Sequence, residues 1–153
     1  MKTKPLRIYV ETSVFGGVCD DIFAGHSVAF FEGARLGRYN LVISEVVAEE
    51  LARAPAAVSE IFDRISAVAE RVETSSAALL LRQSYLKAGV VTPTWQTDAL
   101  HVALASTANC AAIVSWNFKH IVNLNRIPLY NAVNAIHGYR SIEIRSPLEV
   151  IET

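Results

Sequence analysis

Apolar residues along this chain fall into two patterns, short continuous runs and longer stretches with helical spacing. The first run, Leu6–Val10, is β-favouring and ends at Glu11-Thr12-Ser13 and then Gly16-Gly17. It predicts a buried strand whose carboxyl end opens into a loop. His26–Arg38 offers Val28, Phe30, Phe31 and Leu36 as apolar faces of a helix, with Gly37 near its end. Leu41–Ile43 predicts a second strand, after which Ser44 caps a helix, Glu45–Arg53, closed by Pro55. Ala56–Glu70 is amphipathic, with Ile61, Ile65, Val68 and Ala69 at helical spacing. Arg71–Glu73 predicts a third strand, and Ser75–Lys87 a helix that stops at Gly89. Pro93-Thr94 opens another helix, running to about Thr107. Its residues Ala99, Leu100, Val102, Ala103, Leu104 and Ala105 make it apolar almost all round, which puts it in the middle of the molecule. Ala111–Ser115 predicts a fourth strand and Ile142–Ile144 a short fifth.

Strands that alternate with helices, each strand continuous rather than alternating in polarity, predict an α/β fold with a parallel sheet covered on both faces. No repeat, low-complexity tract or Pro/Gly/Ser linker marks an internal boundary, and 153 residues suit one domain spanning 1–153. The apolar fraction of 52% and the charged fraction of 19% exclude disorder. The apolar run Ile8–Val10 stops at Glu11, too short for a signal-peptide core. No stretch approaches the roughly 18 apolar residues of a membrane span. Cys19 and Cys110 are distant from each other, and neither sits in a CxxC or Cys/His cluster. A reducing, cytoplasmic setting is therefore expected. Fourteen Lys and Arg against fifteen Asp and Glu leave a net charge of −1, which argues against an extended basic face for gripping nucleic acid.

In open parallel sheets, ligands bind at the carboxyl ends of the strands, so the polar residues there are the candidates. Glu11 follows the first strand, with Thr12 and Ser13 beside it, and Asn117 follows the fourth across Ser115-Trp116. Glu50 lies three and four residues after Val47 and Val46, on the helix face expected to be buried; Glu45 and Glu49 lie on another. Asp98 opens the apolar helix, and His101 shares its face one turn later. Each residue alone has an ordinary structural reading. Glu11 would be a solvated loop acid, Asp98 a first-turn acid favoured by the helix dipole, and Asn117 a turn residue. His101 would be a satisfied core histidine, and Trp95 and Trp116 would be packing residues. Together the pattern is more specific. Three carboxylates with no adjacent lysine or arginine, converging on one sheet edge, need a cation, and oxygen donors of this type select Mg²⁺ or Mn²⁺. Such an ion is the usual equipment for phosphoryl transfer. No GxSxG, GxxxxGK[ST] or GxGxxG motif competes with that chemistry.

Four segments in order carry a family resemblance: Ile8-Tyr9-Val10-Glu11-Thr12-Ser13-Val14; Ile43-Ser44-Glu45-Val46-Val47-Ala48-Glu49-Glu50-Leu51; Thr97-Asp98-Ala99-Leu100-His101-Val102-Ala103-Leu104-Ala105; and Ile113-Val114-Ser115-Trp116-Asn117-Phe118-Lys119-His120-Ile121. Across essentially the whole chain, these resemble PIN-domain proteins, most of all the toxin-type (VapC-like) ribonucleases of toxin–antitoxin modules. The resemblance implies a three-layer α/β/α sandwich with a short central parallel sheet, and a metal-dependent endonuclease acting on RNA. It implies an acidic site at Glu11, Glu50 and Asp98, a fourth position at Asn117, and assistance from Thr12 or Ser13. It also implies an antitoxin partner, and the apolar content accommodates a homodimer face. Two positions depart from the family's pattern: Glu11 stands where Asp is common, and neutral Asn117 where an acid is frequent. Between Cys110 and Arg145, Lys119, Arg126, Arg140 and Arg145 face only Glu143, so Lys119, Arg126 and the neighbouring His120 are candidates for contacting RNA phosphates. A binding module with weakened catalysis and a metal phosphohydrolase of small phosphate esters are the alternatives.

Overall fold

The computed structural model describes residues 4–151. Its sheet has five strands, β1 (Leu6–Val10), β2 (Tyr39–Ser44), β3 (Glu70–Val72), β4 (Ala112–Val114) and β5 (Glu143–Arg145). They are ordered β3-β2-β1-β4-β5, and every pair is parallel. The chain builds outward from β1 through β2 to β3, then returns to the other side of β1 for β4 and β5. The reversal puts a switch point between the carboxyl ends of β1 and β4, where a parallel sheet opens a crevice. The register there pairs Val10 with Val114, so Glu11 and Ser115 leave the sheet side by side.

Eight helices cover the sheet among the described residues: α1 (Thr12–Gly16), α2 (Ala24–Arg35), α3 (Glu45–Glu50), α4 (Ala56–Ser66), α5 (Ser76–Lys87), α6 (Gln96–Thr107), α7 (Ile127–Ile136) and α8 (Pro147–Ile151). Helix α5 packs on α6 and α7, while α2 packs on β2 and α8, and α4 on α1. Ile8, Tyr9 and Val10 are all buried although successive side chains point to opposite faces, so both faces of the central strand are covered. This is the expected α/β/α layering. Helix α6 runs through the core, with Ala99 to Ser106 buried without interruption.

Several boundaries differ from expectation. The amphipathic helix expected to reach Glu70 stops at Ser66, and Val68, placed on its apolar face, is 83% exposed. Glu70 instead begins β3, pairing with Val42 in register and holding Arg7 of β1 through its carboxylate. Sheet pairing there overrides local helical spacing. The helix expected at His26–Arg38 begins at Ala24 and ends at Arg35, with Gly37 at φ +77° turning the chain toward β2. Helices α1, α7 and α8 fall where no element was expected.

Gly33 on α2 shows how closely that helix approaches β2. A Cβ there would collide with the ring of buried Tyr39, reaching Cζ at 2.9 Å. The Tyr39 hydroxyl donates to the Phe30 carbonyl, and its ring stacks on Phe30 at 5.1 Å. Gly33→Ala is therefore expected to destabilise the fold by about 1–2 kcal/mol, the clash outweighing alanine's better helix propensity. A melting-temperature scan checks it; an unchanged or raised value would mean the phenol moves freely. Between α2, α4 and β2 lies a groove of about 760 Å³, lined by Val28, Phe31, Ile61, Ile65 and Val68 among others.

Candidate active site

The site begins with Glu11, one residue beyond β1. Its backbone N–H continues the sheet by donating to Val114 O at 3.0 Å, and its side chain caps α1 by accepting from Ser13 N at 3.1 Å. The hydroxyls of Ser13 (2.6 Å) and Ser115 both donate to Oε1. Three donors from two strand ends thus fix a carboxylate that is only 5% exposed. Ser13 Oγ also accepts from Trp116 N at 2.8 Å, which ties the loops after β1 and β4 together.

Glu50 closes α3, the short helix that leaves β2 directly, with Ser44 as its cap. Its side chain is 37% exposed, at the rim of the site rather than in the buried face expected for it. Thr12 Oγ1 donates to Oε1 at 2.7 Å, and His101 Nε2 lies 2.5 Å from the same oxygen. Partial burial disfavours the charge, but the His101 and Thr12 bonds outweigh it and hold the Glu50 carboxyl below its ordinary pKa. Behind His101 the bonding continues: Nδ1 lies 2.7 Å from the Tyr9 hydroxyl, which lies 2.7 Å from Ser44 Oγ. Burial pushes the Tyr9 phenol well above its ordinary pKa, so it stays a donor. The donor–acceptor count is satisfied with the histidine proton on Nε2: Ser44 donates to Tyr9, Tyr9 to Nδ1, and Nε2 to Glu50. His101 is fully buried, and its sequence reading as a satisfied core residue missed this partner.

Ligand atoms of Glu11, Glu50 and His101 all lie within 4.8 Å of one another. Asp98, expected to join the two glutamates, lies one turn before His101 on α6, and its Oδ2 is 3.0 Å from His120 Nδ1. His120 is buried and stacks flat on Trp95, with ring centroids 4.3 Å apart. Asn117 behaves as a turn residue: its Oδ1 accepts from His120 N at 2.9 Å and its own N–H donates to Ser115 Oγ at 2.8 Å. Its amide nitrogen has no hydrogen-bond partner among the described residues. Trp116 packs as expected, stacked on Phe23 at 4.2 Å and donating to Ser27 Oγ, but Trp95 is 44% exposed.

The basic surplus expected beyond Cys110 is smaller than the count suggests. Arg145 is ion-paired to Glu143 and to Glu149, and Arg140 donates to Asn109. Lys119 is exposed, and Arg126 is half-buried with an Nε that lacks a hydrogen bond. Ser115 was the other residue sequence reasoning passed over. It stood in the fourth segment, but only the β1–β4 register reveals that it faces Glu11. The donor set suits a hard divalent cation: two hydrogen-bonded carboxylates meet, and among the described residues no lysine or arginine is ion-paired to either.

No protein-family model matches this chain, and no curated protein matches it in sequence. Among the described residues no helix is long and apolar enough to cross a membrane. In three dimensions the chain is similar to one from the crystal structure of VapBC2 from Rickettsia felis bound to a DNA fragment from their promoter. The TM-score is 0.57 at 13% identity, covering 92% of this chain and 98% of that one. At that identity the likeness speaks for architecture: the chain has the PIN-like α/β/α fold.

Proposed function

We propose that this protein is a divalent-metal-dependent endoribonuclease, the toxin of a toxin–antitoxin pair. The observation that carries the reading is the meeting of Glu11 and Glu50 at the β1–β4 switch point, both oriented by hydrogen bonds and, among the described residues, neither ion-paired to a lysine or arginine. Glu11 and Glu50 would hold Mg²⁺ or Mn²⁺, and Asp98, one turn before His101 on α6, would join them on releasing His120. Bound there, the ion would polarise the phosphate, make water nucleophilic at neutral pH and offset transition-state charge. Ser13 and Ser115 keep the Glu11 carboxylate pointed, and Thr12 and His101 do the same for Glu50. Asn117 offers its amide N–H to a phosphate oxygen, while Lys119 and Arg126 supply positive charge nearby.

Purified protein is expected to cleave unstructured RNA with Mg²⁺ or Mn²⁺ and to lose cleavage in EDTA. Calorimetric titration should show Mn²⁺ uptake that falls when Glu11 or Glu50 is neutralised. A titration with no carboxylate-dependent uptake would instead support the binding-module reading, which the neutral Asn117, its oxygen committed to the turn, favours. The groove between α2 and α4 suits an apolar segment of an antitoxin, and similarity to a chain of a VapBC2 complex supports such a partner. Exposed Leu80 on α5 and Ile136 on α7 offer apolar surface for a second copy.

A further inference from the structure

Trp95 is the largest exposed aromatic beside the candidate site, and its setting is built rather than incidental. It ends a 3₁₀ turn, Pro93–Trp95, that runs directly into α6. His120 clads one face of the indole, nearly parallel at 23°. The histidine itself is held from three sides. Its N–H bonds Asn117 Oδ1, its carbonyl accepts from the buried Tyr130 hydroxyl at 2.8 Å, and its Nδ1 meets Asp98. The platform is thus ordered before anything binds, which removes much of the entropy cost of binding. With His120 against one face, the indole is still 44% exposed.

We propose that Trp95 is a stacking platform for an unpaired base next to the cleaved phosphate. The proposal rests on the ribonuclease reading and deepens it. Trp95 is tied to the site by contacts: it stacks on His120, His120 Nδ1 lies 3.0 Å from Asp98, and Asp98 stands one turn of α6 before His101, which bonds Glu50. Lys119, the residue before His120, is exposed and carries the charge that a phosphate beside the stacked base would meet. An aromatic face with a neighbouring cation is the usual grip on single strands, whereas a base inside an A-form helix must first be unpaired and unstacked to reach it.

Two measurements test the platform. Rates are compared on a single-stranded RNA and on bis(p-nitrophenyl) phosphate, a diester without a base, for wild type, Trp95→Phe, Trp95→Leu and Trp95→Ala. The RNA-to-ester ratio of kcat/KM should fall about tenfold or more in the Ala and Leu variants and be largely restored by Phe, because flatness rather than bulk is required. Separately, a 2′-O-methyl RNA octamer in EDTA should quench tryptophan fluorescence in wild type and not in Trp95→Phe, since Trp116 is 6% exposed. A ratio and a quench indifferent to Trp95 overturn the platform. So does a variant that changes only the oligomeric mass, which would make Trp95 a protein contact. If wild type cuts neither substrate, the ribonuclease reading fails, and the quench still decides whether a base stacks on Trp95.

Discussion

Glu11→Gln is expected to lower metal-dependent RNA cleavage by at least about 100-fold while leaving the fold in place. The side chain is isosteric: its amide oxygen can stay on the Ser13 N–H while its nitrogen takes the place of Oε1 and donates to the Ser13 and Ser115 hydroxyls, which rotate to accept. Stability should therefore change by only about 1 kcal/mol. The lost negative charge, however, is half of the pair that meets at the switch point, and a neutral amide draws a divalent ion far less. Glu50→Gln should behave alike, and the double variant should be little worse than either, because groups that share one ion act as a unit. Cleavage at the wild-type rate by Glu11→Gln, with circular dichroism unchanged, would remove Glu11 from the site.

The largest expected effect on stability comes from His101. His101→Ala opens a cavity in the most buried helix and leaves the Tyr9 hydroxyl without its acceptor and Glu50 without its closest donor. A cost of about 3–5 kcal/mol follows from the cavity and unpaired polar groups together. The melting temperature should then fall by roughly 10 °C. Tyr9→Phe removes the relay's middle hydroxyl and should cost about 1–3 kcal/mol. Since both residues serve one chain of bonds, the double variant should cost clearly less than the sum, a coupling that a double-mutant cycle reads directly. Mn²⁺ affinity should fall in His101→Ala as well, because Glu50 is then held by Thr12 alone. Additive losses with unaltered metal uptake would mean that the relay neither holds together nor positions the carboxylate.

The elements legible in the sequence are those whose local pattern and tertiary role agree. β1 was read to the residue, and the apolar helix read to Thr107 is α6, because a segment buried on every side must be apolar on every side. α7 escaped because its polarity does not follow its burial. Asn134 is fully buried, satisfied by Tyr85 and Ser106, while Ile136 two residues later is 78% exposed. A buried asparagine becomes acceptable only once α5 and α6 bring its partners. Within the site, Glu11 and Glu50 could be singled out, since an acid at a strand end and another beside apolar helix positions stand against their surroundings.

The sequence alone determined the α/β alternation, the parallel sheet and the placing of acids at its carboxyl edge, because hydrophobic runs and capping residues act over a few neighbours. Which side chains meet there was decided only by the tertiary structure. Ser115 comes to Glu11 across 104 positions and His101 to Glu50 across 51, through strand register and the rotation of α6 about its axis. Asp98 shares that face, but one turn earlier along α6 it stands beside His120, so His101 alone meets Glu50. Spacing along one helix names the face a residue shares; only the packing of that helix against its neighbours fixes which partner the face meets.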